Sequence, residues 1–262
     1  MTPARLENHV ALVTGGSRGI GRATCLRLAK AGASVAVNYR RNEKAADEVV
    51  GQIEAEGGRA LALQADVSDR AAVEAMIGRV REALGTVDIL VNNAGILLRG
   101  SLLDHREDDF DAMWRTNVKG VLYCAAAVAP GMIDLGWGRV INLSSNAAVG
   151  TALPGTTFYA ATKAAVLILT RRLAFELGPH GITVNAVLPG FTKTEMTTGN
   201  LSPEGIAGVT DFFNQRSVLG RGVGEPDEIA HVVEFLSSER SGFMTGQLLL
   251  ADGGRTDYLS HV

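Results

Sequence analysis

Residues 9–21 read HVALVTGGSRGIG, a strand-like segment followed by a glycine-rich segment. Apolar residues fill its first half, as is typical of a buried strand, and Gly15, Gly19 and Gly21 follow with the spacing G-x-x-x-G-x-G. A glycine-rich turn between a strand and a helix lets the backbone approach a pyrophosphate, whose charge the helix N-terminus attracts. By itself the stretch is consistent with a nucleotide-binding loop and with a glycine-rich turn that binds no ligand. The rest of the sequence is needed to distinguish these two interpretations.

The same order of strand and helix repeats along the whole chain. Strands are predicted at residues 9–15, 34–39, 59–67, 87–95, 138–145, 181–190 and 246–254, with helices between them at 19–31, 43–56, 69–84, 110–132, 158–178 and 225–238. Apolar strands that alternate with helices indicate a parallel sheet covered on both faces. Because no linker or repeat interrupts the order, residues 1–262 are predicted to form one α/β domain with a doubly wound parallel sheet of about seven strands.

Composition narrows the possible functions. The 262 residues are 46% hydrophobic and 20% charged with a net charge of −3, so no basic field favours nucleic acid. The sequence contains no unbroken apolar run of the length that a membrane span needs, and residues 1–8 have no signal-peptide core. Cys25 and Cys124 are interpreted as small buried side chains, and the five histidines have no metal-ligand spacing. We expect a cytoplasmic protein without a metal site.

The residues after the second strand bear on which nucleotide the loop would bind. In sheets of this kind ligands bind at the carboxyl ends of the strands, and an NAD-binding chain usually has Asp or Glu after the second strand. Here the sequence is Asn38-Tyr39-Arg40-Arg41, without a carboxylate, and Arg18 lies in the glycine loop. Because guanidinium groups suit a phosphate, this pattern favours NADP(H), with solvated surface arginines as the alternative.

The stretch FYAATKAAV, residues 158–166, places a phenol and an ammonium four residues apart on a predicted helix. Residues four apart are neighbours on a helix surface, so Tyr159 and Lys163 can act together. Ser144 and Ser145 end the preceding strand, and Asn117 lies inside a long predicted helix, where Asn is a poor helix former.

These motifs, in this order, resemble the short-chain dehydrogenase/reductase family over nearly the whole chain. They are TGGSRGIG (14–21), NNAG (92–95), Asn117, the serine pair, YAATK (159–163) and LPGFTKT (188–194). The tail, residues 220–254, is similar to the bacterial 3-oxoacyl-(acyl-carrier-protein) reductase branch. The resemblance implies a Rossmann-type fold with a nucleotide-binding half at about 9–100 and a catalytic half at about 101–262.

The resemblance also implies a set of residues for the cofactor NADP(H) and the reaction. The catalytic residues would be Asn117, Ser145, Tyr159 and Lys163. The cofactor-binding residues would be Gly15, Ser17, Arg18, Gly19, Ile20, Gly21, Asn38, Tyr39, Arg40, Asp66, Val67, Asn93, Ala94, Gly95, Tyr159, Lys163, Pro189, Gly190, Thr192 and Thr194.

Each catalytic residue has an expected role. Tyr159 would donate a proton to the developing alkoxide, and Lys163 is expected to lower the phenol pKa and, by resemblance, to hold the nicotinamide ribose. Ser145 would hydrogen-bond the substrate carbonyl, and Asn117 would hold a water that connects Lys163 to solvent. Ser145 lies fourteen residues before Tyr159, one more than is common in relatives, so Ser144 and Asn146 remain alternatives.

The substrate is less well defined by the sequence. Residues 191–220 are expected to form a lid, whose apolar residues suggest a keto or acyl substrate that an acyl-carrier protein could present, although helix packing would select the same residues. A general carbonyl reductase, an alcohol or sugar dehydrogenase, and a non-catalytic nucleotide-binding redox sensor stay open. Helices 110–132 and 158–178 are apolar on more than one face, and the resemblance implies a homotetramer.

Overall fold

The computed structural model describes residues 5–258, so the two ends of the predicted domain, 1–4 and 259–262, lie outside the described residues. Seven parallel strands form one sheet in the order β3-β2-β1-β4-β5-β6-β9. They are β1 Val10–Val13, β2 Ser34–Tyr39, β3 Ala60–Gln64, β4 Ile89–Asn92, β5 Gly138–Leu143, β6 Ile182–Pro189 and β9 Leu248–Ala251. Two short strands, β7 Phe191–Thr192 and β8 Val223–Gly224, pair separately. The prediction of a doubly wound sheet of about seven strands is confirmed.

Helices cover both faces of the sheet. They are α1 Gly19–Lys30, α2 Glu43–Ala55, α3 Arg70–Ala83, α4 Glu107–Trp114, α5 Gly120–Leu135, α6 Thr157–Leu177, α7 Glu195–Thr198, α8 Pro203–Asn214 and α9 Pro226–Ser237. Alternate residues of β1 enter two separate cores, since Ala11 and Val13 pack with α1, α2 and α9 while Val10 and Leu12 pack with α3 and α5. This two-sided burial explains why the strands read as continuous apolar runs. Cys25 and Cys124 are buried in these cores, as predicted.

The prediction of one continuous α-helix at 110–132 is wrong, because this stretch consists of two α-helices joined by a π-helical turn. A π-helical turn, Arg115–Lys119, separates α4 from α5 and contains the buried Asn117. The side chain of Asn117 hydrogen-bonds both backbone groups of Ile96, and a turn with i→i+5 bonding is the device that fits such an inward side chain into a helix.

The helical stretch Glu107–Leu135 is long and apolar enough to cross a membrane by length and composition alone, with a mean hydropathy of 1.4. In this fold its second half, α5, packs against α3, β4, β5 and α6. The core helix of a globular domain has the same composition, and the packing of α5 fits that interpretation.

The strand order places the site. After β3 the chain crosses to the other side of β1 and continues with β4, so the order reverses between β1 and β4. The loops that follow these two strands, which carry the glycine motif and NNAG, therefore diverge at one point and open a crevice between them.

Candidate active site

The glycine loop between β1 and α1 is shaped by close backbone contacts. Gly19 has φ +52°, a conformation that side chains disfavour. A Cβ on Gly21 would overlap the Gly15 carbonyl oxygen and lie 2.5 Å from Nδ2 of Asn93. The first turn of α1 therefore packs directly on the glycine loop. The free amides at the N-terminus of α1 are then next to the loop, where they can bind a phosphate.

Thr14 and Asn93 hold the two loops of the crevice together. The Thr14 hydroxyl accepts hydrogen bonds from the backbone N–H groups of Asn93 and Ala94, each at 3.0 Å. Nδ2 of Asn93 donates to the carbonyl oxygens of Thr14 and Gly15, at 2.8 and 3.0 Å. The Asn93 side chain thus supports the glycine loop, and its contact with the cofactor stays a prediction. Sequence reasoning missed Thr14, because a threonine at the end of a strand is an ordinary β-sheet residue.

Asn38 and Tyr39 also have internal partners. Oδ1 of Asn38 accepts from the Gly15 N–H at 3.1 Å, and its Nδ2 donates to the Leu63 and Ala65 carbonyl oxygens. Tyr39 is buried, and both burial and the neighbouring Glu43 raise the pKa of its phenol. The Asn38 side chain thereby fastens the glycine loop to β3, and the contact of Asn38 and Tyr39 with the cofactor stays a prediction. Val67 is likewise buried, beside Gly120.

Arg18 and Arg40 lie exposed on the adenosine side of the crevice. Arg18 makes no ion pair within residues 5–258, whereas Nε of Arg40 lies 2.7 Å from Oδ2 of Asp66. Burial raises the pKa of the Asp66 carboxyl, but hydrogen bonds from Ser68 and the charge of Arg40 outweigh it, so the pKa is below its usual value. The sequence placed Arg40 and Asp66 in the site but did not reveal that they pair.

Tyr159 lies in the first turn of α6, partly exposed to the crevice. Burial raises the pKa of Tyr159 to about 12, and a hydrogen bond from Ser145 acts in the opposite direction. A lowered pKa was predicted from Lys163, but the pKa is raised and Lys163 is not among the groups that shift it, because its ammonium is directed to the Leu143 carbonyl oxygen. Its Nζ lies 5.8 Å from the centroid of the Tyr159 ring.

Lys163 is buried below Tyr159. Its Nζ donates to the Leu143 carbonyl oxygen at 2.8 Å, and burial lowers the pKa of the ammonium to about 8. A Cβ on Gly95 would come within 3.4 Å of Nζ, so the NNAG loop closes directly over this group.

The hydrogen bonds distinguish the three candidates for the substrate-binding serine. Ser144 is buried and donates to the Lys163 carbonyl oxygen at 2.9 Å, while Nδ2 of Asn146 lies 3.4 Å from Oδ2 of Asp252. Ser145 is the one whose hydroxyl lies close enough to Tyr159 to lower the pKa of its phenol, and it also accepts from the Ala147 N–H at 3.2 Å. The loop between Ser145 and Tyr159 contains a 3₁₀ turn, Asn146–Val149, followed by Gly150 at φ +91°.

Asn117 connects the NNAG loop to α6. Its Nδ2 donates to Ile96 O and to the Thr162 hydroxyl, both at 3.0 Å, and Thr162 in turn donates to the Tyr159 carbonyl oxygen at 2.7 Å. All hydrogen-bonding capacity of the amide nitrogen is thus used within the protein. The Asn117 side chain therefore connects Ile96 to Thr162 in α6, and its contact with a relay water stays a prediction.

The segment after β6 folds over the glycine loop. The Thr192 hydroxyl donates to the Gly190 carbonyl oxygen, and Thr194 begins α7 with a capping box. Cγ2 of Thr194 would lie 3.1 Å from a Cβ on Gly19, so the predicted cofactor residues of both segments meet here. Ser17 lies in the same loop, and Ile20 lies in the first turn of α1 and packs on the core. The glycine loop and the segment after β6 therefore meet at one crevice, and their contact with a cofactor stays a prediction.

Comparison with known proteins agrees with this arrangement. A family model described as enoyl-(acyl carrier protein) reductase matches residues 15–256. The chain is 41% identical over 251 residues to the (2S)-[(R)-hydroxy(phenyl)methyl]succinyl-CoA dehydrogenase subunit BbsD of Thauera aromatica, covering 96% of this chain and 98% of that protein. It is 44% identical over 245 residues to the 3-oxoacyl-[acyl-carrier-protein] reductase FabG of Staphylococcus aureus, covering 93% and 96%. A short-chain dehydrogenase of Burkholderia cenocepacia, solved in complex with NADP, superimposes with a TM-score of 0.86 at 41% identity, covering 95% of this chain and 98% of that one.

Proposed function

The chain belongs to the short-chain dehydrogenase/reductase family, and we propose that it reduces a ketone to a secondary alcohol with NADPH. The observation that carries this proposal is the closeness of the Ser145 hydroxyl, the Tyr159 phenol and the buried ammonium of Lys163 at one end of the sheet. These groups lie near a glycine loop whose close backbone packing leaves no room for a side chain at Gly21, which fits a backbone that approaches a dinucleotide.

The reacting carbonyl oxygen would lie between the two hydroxyl groups. Ser145 would donate a hydrogen bond to it, and this bond strengthens as negative charge develops on the oxygen. Tyr159 would then transfer its proton to the same oxygen. A phenol whose pKa is raised to about 12 stays protonated at neutral pH, which is the form that reduction requires.

The remaining residues would hold the cofactor. When bound, the nicotinamide supplies the hydride. The amides of the glycine loop would hold the pyrophosphate, Arg18 and Arg40 would hold the 2′-phosphate, and Lys163 would hold the nicotinamide ribose.

For the substrate we propose a 3-oxoacyl thioester. The names of both relatives contain a carrier of acyl thioesters, coenzyme A in one and acyl-carrier protein in the other. The lid exposes apolar side chains suited to an acyl chain, namely Met196, Leu201 and Phe212. We place the enzyme in the cytoplasm.

The test is a substrate comparison with both nicotinamide cofactors. We expect the purified protein to oxidise NADPH with acetoacetyl-CoA, or with the same acyl group on a carrier protein, faster than with a simple ketone or a keto sugar. The loss of nicotinamide absorbance measures each rate. Faster turnover of a keto sugar would assign the chain to a sugar dehydrogenase, and no turnover of any carbonyl compound would leave the redox-sensor alternative.

A further inference from the structure

The chain after β9 runs back across the molecule. Residues 252–258, here called the C-terminal clasp, contact two segments that border the crevice. On the lid side, Val218 N–H donates to Gly254 O at 2.9 Å and Thr256 N–H donates to Arg216 O at 3.0 Å. On the other side, Ala152 N–H donates to Asp257 O at 3.0 Å, and Thr151 forms a bridge with Tyr258.

The side chain of Arg255 lies at the centre of the clasp. Its guanidinium carbon lies 4.4 Å from the ring centroid of Phe213 in α8, and Phe213 is stacked on Phe191 with centroids 4.4 Å apart. Nε and Nη2 of Arg255 donate to the two carboxylate oxygens of Asp257 at 2.7 and 2.5 Å. The guanidinium therefore contacts the lid through its face and the clasp through its edge, a combination that the planar group of arginine allows and lysine does not.

Burial strengthens the ion pair between Arg255 and Asp257. The Arg255 side chain is 3% exposed and that of Asp257 is 14% exposed, so water competes little for their hydrogen bonds. Burial raises the pKa of Asp257, but the hydrogen bonds and charge of Arg255 outweigh it and keep the carboxylate ionised.

The first residue of the clasp contacts the loop that carries the proposed substrate-binding serine. The Tyr258 hydroxyl donates to Asp252, and Nδ2 of Asn146 lies 3.4 Å from the same carboxylate. Because Asn146 follows Ser145 directly, the clasp is fixed at this end to the proposed catalytic loop.

We propose that Arg255 is a positioning residue that holds the lid helix α8 against the loop at residues 150–152 and thereby sets the affinity for the carbonyl substrate. This inference rests on the proposed function. The substrate must occupy the space between the lid and this loop to reach Tyr159, and a wall that moves by about 1 Å is enough to weaken binding or reaction strongly. Arg255 has no contact with the reacting atoms in this scheme, so its effect passes through Phe213 and Asp257.

The test compares Arg255→Met with Arg216→Met in the full chain. Arg216 is the matched control, because its guanidinium lies 3.8 Å from the ring of Phe212 in the same helix and donates to the Phe212 carbonyl oxygen. It acts on Asp257 through its charge alone, the smallest of the influences on that carboxylate, and makes no ion pair with it in the described part of the chain. The first readout is steady-state kinetics with the carbonyl compound that the wild type turns over fastest. The second is hydrogen exchange at the amides of Ala152 and Val218, which needs no activity.

We expect Arg255→Met to raise KM for the carbonyl substrate about tenfold or more, with a smaller change in kcat and an unchanged Kd for NADPH. Exchange at Ala152 and Val218 should accelerate together, while Arg216→Met changes neither readout. Arg255→Lys, which keeps the charge but loses the planar fork, should give an intermediate KM.

Two results would overturn the inference. One is a loss of kcat at unchanged KM, and the other is unchanged exchange at both amides. If Arg255→Met fails to fold, Arg255→Lys and Asp257→Asn decide by the same measurements. A wild type that favours another class of carbonyl compound would overturn the proposed thioester substrate, but it would leave the exchange and KM tests of the clasp intact.

Discussion

Among single side chains, Tyr159 provides the most direct test of the reaction. Replacement with Phe removes the hydroxyl and keeps the ring, so we expect kcat to fall by about 100- to 10,000-fold. The Kd for NADPH, measured by fluorescence titration, should stay close to the wild-type value, because the glycine loop and the arginines are untouched. Retention of more than about a tenth of wild-type turnover would show that another group is the acid.

The raised pKa of Tyr159 also predicts how the two directions depend on pH. In reduction the phenol acts as an acid and is already protonated at neutral pH, since its pKa is about 12. In alcohol oxidation it must first lose its proton, so kcat/KM for a secondary alcohol with NADP⁺ should rise from pH 6 to 10. A flat oxidation profile over this range would contradict the assignment of Tyr159 as the base.

The arginines at the adenosine end predict the choice of cofactor. Each charged hydrogen bond to the 2′-phosphate contributes roughly 1–1.5 kcal/mol at a wet surface, so Arg18→Ala and Arg40→Ala should each lower the NADPH preference about tenfold. Arg41→Ala is the control. Arg41 is exposed and follows Arg40 directly, and we expect its removal to leave the NADPH preference unchanged. The ratio of kcat/KM for NADPH and NADH measures the effect.

The ion pair of Arg40 with Asp66 adds a further expectation. Asp66→Asn should release Arg40 for the phosphate and raise the NADPH preference. A parallel loss of NADH and NADPH activity in an arginine variant would instead assign that residue to the pyrophosphate or to folding.

At the scale of elements, two glycines in helices should respond in opposite ways to the same change. Gly51 lies exposed in α2 with nothing within 4 Å of an added Cβ, so Gly51→Ala should stabilise the helix by about 0.5–1 kcal/mol. Gly21→Ala would push α1 away from Asn93 and should lower both the melting temperature and the affinity for NADPH. Thermal melts at one protein concentration and a nucleotide titration measure the pair. A destabilised Gly51→Ala protein would contradict the open surroundings of α2.

The sequence predicted the elements where a local pattern determines them. Short apolar runs predicted all seven strands of the main sheet, because strands buried on both faces need continuous apolar residues. The π-helical turn was missed, since helical periodicity continues through Arg115–Lys119 and only the inward Asn117 interrupts it. The clasp was missed as well, because residues 255–258 have no periodicity and depend on contacts with distant segments.

In the site, too, local motifs predicted the residues, whereas contacts between distant segments could not be predicted. Motif order brought Ser145, Tyr159 and Lys163 together correctly, because each follows a strand or begins a helix at the same edge of the sheet. The direction of the Tyr159 pKa was not predictable, since it depends on burial and on the hydrogen bond of Lys163 with Leu143. The supporting roles of Thr14 and Asn38 depend on atoms that are distant in sequence.

At the scale of the whole molecule, apolar side chains lie exposed on two separate surfaces. The first surface is formed by α5 and α6, which expose Leu122, Ile133, Ile168 and Phe175, the last at 72%. The second lies at the β9 edge of the sheet and contains Val218, Leu219 and Leu250. Apolar patches of this kind mark protein interfaces, and two self-complementary patches on one subunit generate a dihedral tetramer. We therefore propose that four copies assemble through these two surfaces.

The assembly prediction can be tested by closing one surface at a time. Ile168→Glu places a charge on the α6 surface and Leu250→Glu places one on the β9 surface, so each variant should leave dimers held by the other surface, and the double variant should give monomers. Glu48→Lys, an exposed change on α2 away from both surfaces, is the control and should remain tetrameric. Light scattering at micromolar concentration gives the mass of each species, and circular dichroism checks that the variants keep their fold. A monomeric wild type would contradict the proposal outright. Tetramers in the double variant would place the interfaces elsewhere, because an unpaired charge buried in a contact is strongly unfavourable.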